Sequence, residues 1–247
     1  MLIMAATKAN IIAQLQKSIL PLQGFKRLST DNFAQIKLGP IDDAFPNGCF
    51  PLAAVHEFIS EGTEYTAATD GFIAFLVSAL MVNGGACVWI SSSPTVFPPA
   101  LKAFGIEPDK IIFIEIKNAK DALWVIEEAL KCDGLTAVVG ELQELSFTES
   151  RRFQLAVEQS RVTGFIIRDH PRNLNINACV SRWRISPLSS SSENNLPGIG
   201  FPRWNIELLK IRNGIPGAWQ MEWSHGRFHP VTPFVTLLQQ EQKRKTG

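Results

Sequence analysis

The sequence predicts an α/β protein: a three-layer domain on a mixed, mainly parallel sheet that finishes in antiparallel strands. Three observations predict it. From Val55 onward, short apolar runs alternate with turn signals and helix-periodic segments, the pattern of successive β-α units. Beyond Arg168 the apolar runs continue with no helical segment between them, the pattern of antiparallel strands. The chain has 247 residues, 45% of them hydrophobic, with 16 Phe and 6 Trp, which is enough apolar surface to bury a sizeable core and argues against general disorder.

Taken in order, Ala53–Ile59 reads as the first strand. A loop from Ser60 to Asp70 follows, then a helix carrying Phe72, Phe75, Leu76, Ala79 and Leu80 on one face, ended by Gly84-Gly85. Ala86–Ser91 is the second strand, Pro99–Phe104 a short helix opened by proline, and Lys110–Ile116 the third strand. Asp121 caps a helix that runs to about Lys131. Leu135–Gly140 is the fourth strand, Thr148–Ser160 a helix with a Thr-x-x-Arg start, and Gly164–Arg168 the fifth strand. Cys179–Ile185, Trp204–Ile211 and Trp219–Trp223 read as antiparallel strands. They are joined by the Ser-rich stretch Ser189–Asn195 and by the turn Arg212–Gly217, whose Asn213-Gly214 pair suits positive φ.

Outside this core, Ile11, Ile12, Leu15 and Ile19 recur at helical intervals over Thr7–Ile19, closed by Pro21 and Gly24. This amphipathic arm either packs on its own domain or serves as a partner helix. The chain thus divides into an arm (1–38), a core (39–230) and a tail (231–247) in which Phe234, Leu237 and Leu238 precede the basic run Lys243-Arg244-Lys245. That tail is either frayed or a partner-docking segment.

Charge and cysteine usage narrow the function classes. The net charge of +1 hides an asymmetry: residues 1–149 carry 10 Lys/Arg against 17 Asp/Glu, and residues 150–247 carry 14 against 6. The basic end either faces a polyanion or is a solvated face balanced by the acidic half. Cys49, Cys87, Cys132 and Cys179 form no C-x-x-C pair and have no His at metal spacing, so reduced thiols with no disulfide and no metal are expected. No run of about 18 apolar residues and no basic leader is seen, so the expected location is the cytoplasm, away from membranes.

The order of elements, a loop and helix after the first core strand and antiparallel strands at the end, resembles the ATP-binding core of RecA-type recombinases. The stretches Ala122–Leu130 (ALWVIEEAL), Val138–Leu142 (VVGEL), Glu149–Ala156 (ESRRFQLA), Ser181–Ile185 (SRWRI), Pro202–Lys210 (PRWNIELLK), Arg212–Trp219 (RNGIPGAW) and Glu222-Trp223 are similar to the bacterial ImuA family, RecA- and SulA-like accessory proteins of DNA-damage mutagenesis. The resemblance covers about Gly39 to Pro230.

A P-loop needs G-x-x-x-x-G-K-[ST] between strand and helix: glycines expose backbone N–H groups to the phosphates, Lys supplies charge and the hydroxyl holds Mg²⁺. The corresponding stretch here offers Ser60, Glu61, Gly62, Thr63, Glu64, Thr66 and Thr69, and no lysine. No Lys or Arg occurs between Lys37 and Lys102, whereas Asp42, Asp43, Glu57, Glu61, Glu64 and Asp70 all lie in that span. At the end of the fourth strand, where RecA-like ATPases carry an Asp, stands Gly140; Glu141 follows, and strand alternation directs it to the opposite face. The second strand ends in Ser91-Ser92-Ser93, with no carboxylate to orient a water. No nucleotide cofactor, no catalytic residue and loss of ATPase function are therefore expected.

Other chemistry is weaker still. His56, beside Glu57 on a strand, reads as a packed or hydrogen-bonded core residue. His225 and His229 are separated by Gly226 and followed by Pro230, a turn and not a metal-binding helix. In RecA-type folds, DNA-contacting loops follow the fourth and fifth strands. The second such loop here is Asp169–Asn177, so Arg168, His170 and Arg172 are the candidates for phosphate contact. Arg182-Trp183-Arg184 and Arg203-Trp204 form either a stacking or docking surface or a strand with one buried face and solvated arginines.

The resemblance implies an adaptor that associates with RecA or an error-prone polymerase-like partner during translesion synthesis in the SOS response, touching single-stranded DNA indirectly or weakly. The alternatives are a divergent DNA-dependent ATPase of the RecA superfamily and a SulA-like inhibitor of cell division. The oligomeric state is left open by the sequence.

Overall fold

A computed structural model of the chain describes residues 36–93, 96–190 and 200–231. The arm helix, Ser191–Asn195 of the Ser-rich stretch, and the tail residues Phe234, Leu237 and Leu238 lie outside the described residues. Ile36 and Leu38, assigned from sequence to the arm, are buried in the core.

The described strands are β1 (Val55–Ser60), β2 (Cys87–Ser91), β3 (Ile111–Glu115), β4 (Ala137–Leu142), β5 (Thr163–Asp169), β6 (Ser181–Leu188), β7 (Arg203–Ile211), β8 (Gly217–Ser224) and β9 (Arg227–Pro230). They form one sheet in the order β3-β2-β4-β5-β1-β6-β7-β8-β9. Pairing is parallel from β3 through β6 and antiparallel from β6 to β9. The expected mixed sheet is present, and β6 is where it turns: antiparallel to β7 as expected, and parallel to β1, with Glu57 opposite Arg182. The chain returns from the end of β5 through the loop 170–180 without a helix, so the missing helical pattern concealed a parallel crossover.

Among the described residues three α-helices fill the outer layers: α1 (Thr63–Leu80), α2 (Ala119–Lys131) and α3 (Phe147–Ser160). On one face, α1 buries Phe72, Ile73, Leu76 and Val77 against Phe58 and Trp183, joined by Ile41, Phe45 and Phe50 from the segment before β1. On the other, α2 and α3 bury Ile126, Leu130, Phe153 and Val157 against Val55, Val138 and Ile166. A buried side chain of this size stabilises the fold by about 1.5–3 kcal/mol, so these two layers supply the main driving force. Helix α1 with its extension to Asn83 is long and apolar enough to cross a membrane, but its apolar side chains pack beneath the sheet.

Helix starts differ from the sequence reading. Asn118 caps α2, accepting from the Lys120 backbone N–H at 2.9 Å, in place of Asp121. Ser146 caps α3 in a reciprocal capping box with Glu149, two residues earlier than the Thr-x-x-Arg reading placed it. The largest shift is at α1, which begins at Thr63 and so absorbs most of the loop expected over Ser60–Asp70. Thr63–Asp70 contains neither Gly nor Pro, and nothing in it breaks a helix once Gly62 has turned the chain.

Candidate functional site

In parallel sheets, ligand sites gather at the carboxyl ends of the strands. The carboxyl ends of β4 and β5, the residues following β2 and β3, and the first two turns of α1 enclose a cleft of about 760 Å³ there. Its walls include Thr63, Thr66 and Asp70 from α1, Ser92 and Ser93 after β2, Lys117 after β3, Glu141 and Glu144 at the end of β4, and Asp169 and His170 at the end of β5. Ile116, Leu123 and Leu142 give it an apolar floor.

The turn that enters α1 is short and closed on itself. Only Glu61 and Gly62 separate β1 from α1. The Thr66 backbone N–H donates to the Gly62 carbonyl at 2.8 Å, and the Thr66 hydroxyl donates to the same oxygen at 3.1 Å. Ser60 Oγ lies 2.7 Å from Thr66 Oγ1. These hydroxyls are satisfied within the turn, and two residues of backbone do not arch around phosphates as a glycine-rich P-loop does. Glu61 turns away to pair with Arg184 at 3.2 Å, Glu64 is exposed, and Thr69 is buried inside the helix layer.

Gly140 and Glu141 occupy faces opposite to those assigned from sequence. A Cβ on Gly140 would stand 2.4 Å from Ile126 Cδ1, so this position faces α2. Glu141 instead lines the cleft, accepting a hydrogen bond from Trp89 Nε1 at 3.0 Å. The pleat places Glu141, and not its neighbour, where a strand-end acid meets the cleft.

Electrostatics define this cleft. Asp70, Glu141, Glu144, Glu149 and Asp169 line it, against Lys117 and His170. Burial raises the Asp70 carboxyl from its ordinary value to about 8, reinforced by the carboxylates of Glu141 and Asp169. One Asp70 oxygen, Oδ1, is buried without a hydrogen-bond partner among the described residues. Unit charges about 4 Å apart interact by about 4 kcal/mol at an effective dielectric of 20, so a triphosphate entering here meets a dominant unfavourable term. The turn into α1 carries no lysine to meet the phosphates of a Mg²⁺-nucleotide as a P-loop does.

The candidate phosphate contacts separate. Arg168 is corrected: it is fully buried, and its guanidinium donates to Glu57 at 2.9 Å, Glu144 at 2.8 Å, the Asn173 carbonyl at 3.0 Å and Asn175 Oδ1 at 3.2 Å. A side chain so committed ties the loops after β4 and β5 together and presents nothing to a polyanion. His170 and Arg172 are exposed on that loop, His170 bonded to Asp169 at 2.8 Å.

His56 is a core residue: fully buried, it contacts Ser181 Oγ at 2.7 Å and the Pro51 carbonyl at 2.9 Å, and burial holds its pKa down to about 3. Trp183 and Trp204 are buried, which removes the stacking-surface reading of the Arg-Trp pairs. The flanking arginines are paired, not solvated: Arg182 with Glu57 at 2.5 Å, Arg184 with Glu61, and Arg203 with Glu222 at 2.6 Å. Cys87 and Cys179 are buried thiols pushed up to about 12, chemically quiet. Sequence reasoning missed Glu144, Glu149, Asp169 and Lys117 as cleft residues; for Glu144 and Asp169, an acid within two positions of a strand's carboxyl end was the available signal.

Comparisons with known proteins fit this geometry. ImuA proteins from two strains of Caulobacter vibrioides, NA1000/CB15N and ATCC 19089/CB 15, are each 34% identical over 205 residues, covering 77% of this chain and 84% of theirs. No family model matches the chain. Among solved structures, that of the RadB recombinase superposes with a TM-score of 0.51 at 12% identity, covering 75% of this chain and 94% of that one. That likeness is one of fold: the domain is RecA-like, with a mostly parallel sheet and antiparallel strands at its C-terminal end.

Proposed function

The chain belongs to the ImuA family, and on that premise we propose that it is a RecA-like accessory protein of DNA-damage-induced translesion synthesis that acts by contact and not by catalysis. The observation that carries the non-catalytic part is the cleft itself. The turn before α1 lacks a P-loop's length and lysine, and the cleft beside it is lined by Asp70, Glu141 and Asp169. Positioning and charge neutralisation are almost the whole of phosphoryl-transfer catalysis, and both depend on cations at this place.

In this reading the cytoplasmic partners are RecA or an error-prone polymerase-like protein, and single-stranded DNA is met weakly, through His170 and Arg172, or through the partner. Phe234, Leu237 and Leu238 remain a candidate docking segment. Co-purification of the full chain from DNA-damaged cells with quantitative identification of bound proteins tests the adaptor role. Recovery of a repair or replication component is expected; its absence at stoichiometric yield of the bait overturns the reading.

A divergent ATPase is the second reading, favoured by one finding: Glu141 does face the cleft, where a strand-end acid serves nucleotide hydrolysis in RecA-like enzymes. Thermal denaturation with and without Mg²⁺-ATP separates the two, since a ligand at 100 times its Kd stabilises by about 2.7 kcal/mol. No shift is expected. ATP turnover abolished by Glu141→Gln would establish the enzyme instead.

A further inference from the structure

Acids on and beside the parallel strands are answered by arginines of the same chain. Glu57 takes Arg168 and Arg182, Glu144 takes Arg168, and Glu61 takes Arg184. Asp70 departs from that pattern. It lines the cleft from α1, its carboxyl is almost wholly buried, and Oδ1 has no hydrogen-bond partner among the described residues. Glu141 from β4 and Asp169 from β5 act on it and oppose its ionisation. The two basic groups of the cleft stand against acids: His170 on Asp169, and Lys117 at 3.8 Å from Glu115. A buried acceptor left unmatched is costly, so a ligand that brings a donor to this carboxyl gains more than it would in water.

The shape of the site says which donor. Among the described residues no three acids, cysteines or histidines converge as a bare metal ion requires. The acids are instead spread around a space of about 760 Å³ over an apolar floor of Ile116, Leu123 and Leu142. Such a site suits a cation whose charge is shared among several N–H groups and carried on an aliphatic stem. Arginine has both: a planar, weakly hydrated fork of donors, and methylenes that lie on apolar surface.

Resting on the reading that this protein works by contact, we propose that the cleft receives one arginine side chain of the partner protein, its stem on Ile116, Leu123 and Leu142 and its guanidinium among Asp70, Glu141 and Asp169. Seating the guanidinium displaces the Asp70 proton to solvent, so binding and proton release are coupled.

The probe is the blocked tripeptide acetyl-Gly-Arg-Gly-amide, titrated into the full chain. The indole N–H of Trp89, which donates to Glu141 at 3.0 Å, reports on the cleft in a proton–nitrogen correlation spectrum. A shift that saturates with a Kd on the order of 1 mM is expected, the strength open to a ligand of this size. The citrulline counterpart, of the same shape without the charge, is expected to leave the signal in place. Arginine stays charged throughout, so affinity should rise about tenfold between pH 7 and pH 9 as Asp70 gives up its proton, and Asp70→Asn should remove that rise. No shift at about 20 mM probe overturns the proposal, as does equal binding of the citrulline peptide. Tighter binding of free arginine would make the cleft a small-molecule site, and a gain in affinity on changing Lys243, Arg244 and Lys245 together to Gln would assign it to this chain's own tail; either overturns the proposal too. Displacement of the probe by Mg²⁺-ATP would sink the contact reading with it, whereas a silent probe beside a co-purified partner removes this inference alone.

Discussion

Arg168 donates to Glu57 at 2.9 Å with both side chains completely buried, the arginine from the end of β5 and the carboxylate from the middle of β1. Glu57 meets Arg182 of β6 with its other oxygen, so three adjacent strands share one ionic knot. Removing one member of a buried pair leaves an uncompensated charge, at a cost of about 3–5 kcal/mol. Arg168→Met is expected to lower stability by that amount in urea titration. His170→Ala with Arg172→Ala, on the surface of the same loop, is expected to change stability by less than about 0.5 kcal/mol.

Gly140 and Ile126 are a second coupled pair. The strand is bare at Gly140 because the Ile126 side chain occupies the space a Cβ would need. Gly140→Ala is expected to cost about 1–3 kcal/mol by overpacking. Pairing it with Ile126→Ala should recover part of that loss, a coupling readable in a double-mutant cycle. Gly140→Asp, which would write the RecA-type acid into the strand, buries a carboxylate against isoleucine and is expected to unfold the domain without creating a metal ligand in the cleft.

The strand-helix rhythm was legible because apolar periodicity reports burial directly, and burial built this sheet: eight strands were predicted within two or three residues of their observed positions. The ninth, β9, was missed because Arg227-Phe228-His229-Pro230 carries no apolar alternation. That β6 also pairs parallel with β1 was hidden, since antiparallel and helix-free parallel crossovers leave the same trace in sequence. Orientation within strands was read less well. Gly140 and Glu141 were assigned to the wrong faces by analogy with a family position, although glycine opposite a helix is what close packing asks for. Arg168 looked like a surface cation because its two acidic partners are far away in sequence, at 57 and 144.

Asp70 gives the cleft a pH signature. Its folded-state pKa near 8 lies above the ordinary carboxyl value of 3.8, so the folded protein holds a proton that the unfolded chain releases. The stability from this group is complete below about pH 4 and is lost as pH rises toward and through 8. Asp70→Asn is expected to raise Tm by roughly 3–6 °C at pH 9 and to change it negligibly at pH 4. A Tm difference independent of pH would mean the carboxyl is ionised in the folded state.

Two tryptophans separate packing from surface. Trp183 is fully buried, its ring 6.0 Å from Phe45, 6.5 Å from Phe50, 6.1 Å from Phe58 and 5.8 Å from Phe72, while Trp124 on α2 is 62% exposed. Trp183 Nε1 also donates to Ser181 Oγ at 2.6 Å, the hydroxyl that contacts His56. Trp183→Ala therefore opens a cavity and leaves that hydroxyl short of a partner, at an expected cost of about 3–5 kcal/mol. Trp124→Ala removes no buried contact and is expected to stay within about 0.5 kcal/mol. Chemical denaturation of the two variants reads the difference, and equal effects would mean that β6 does not bury its tryptophan beneath α1.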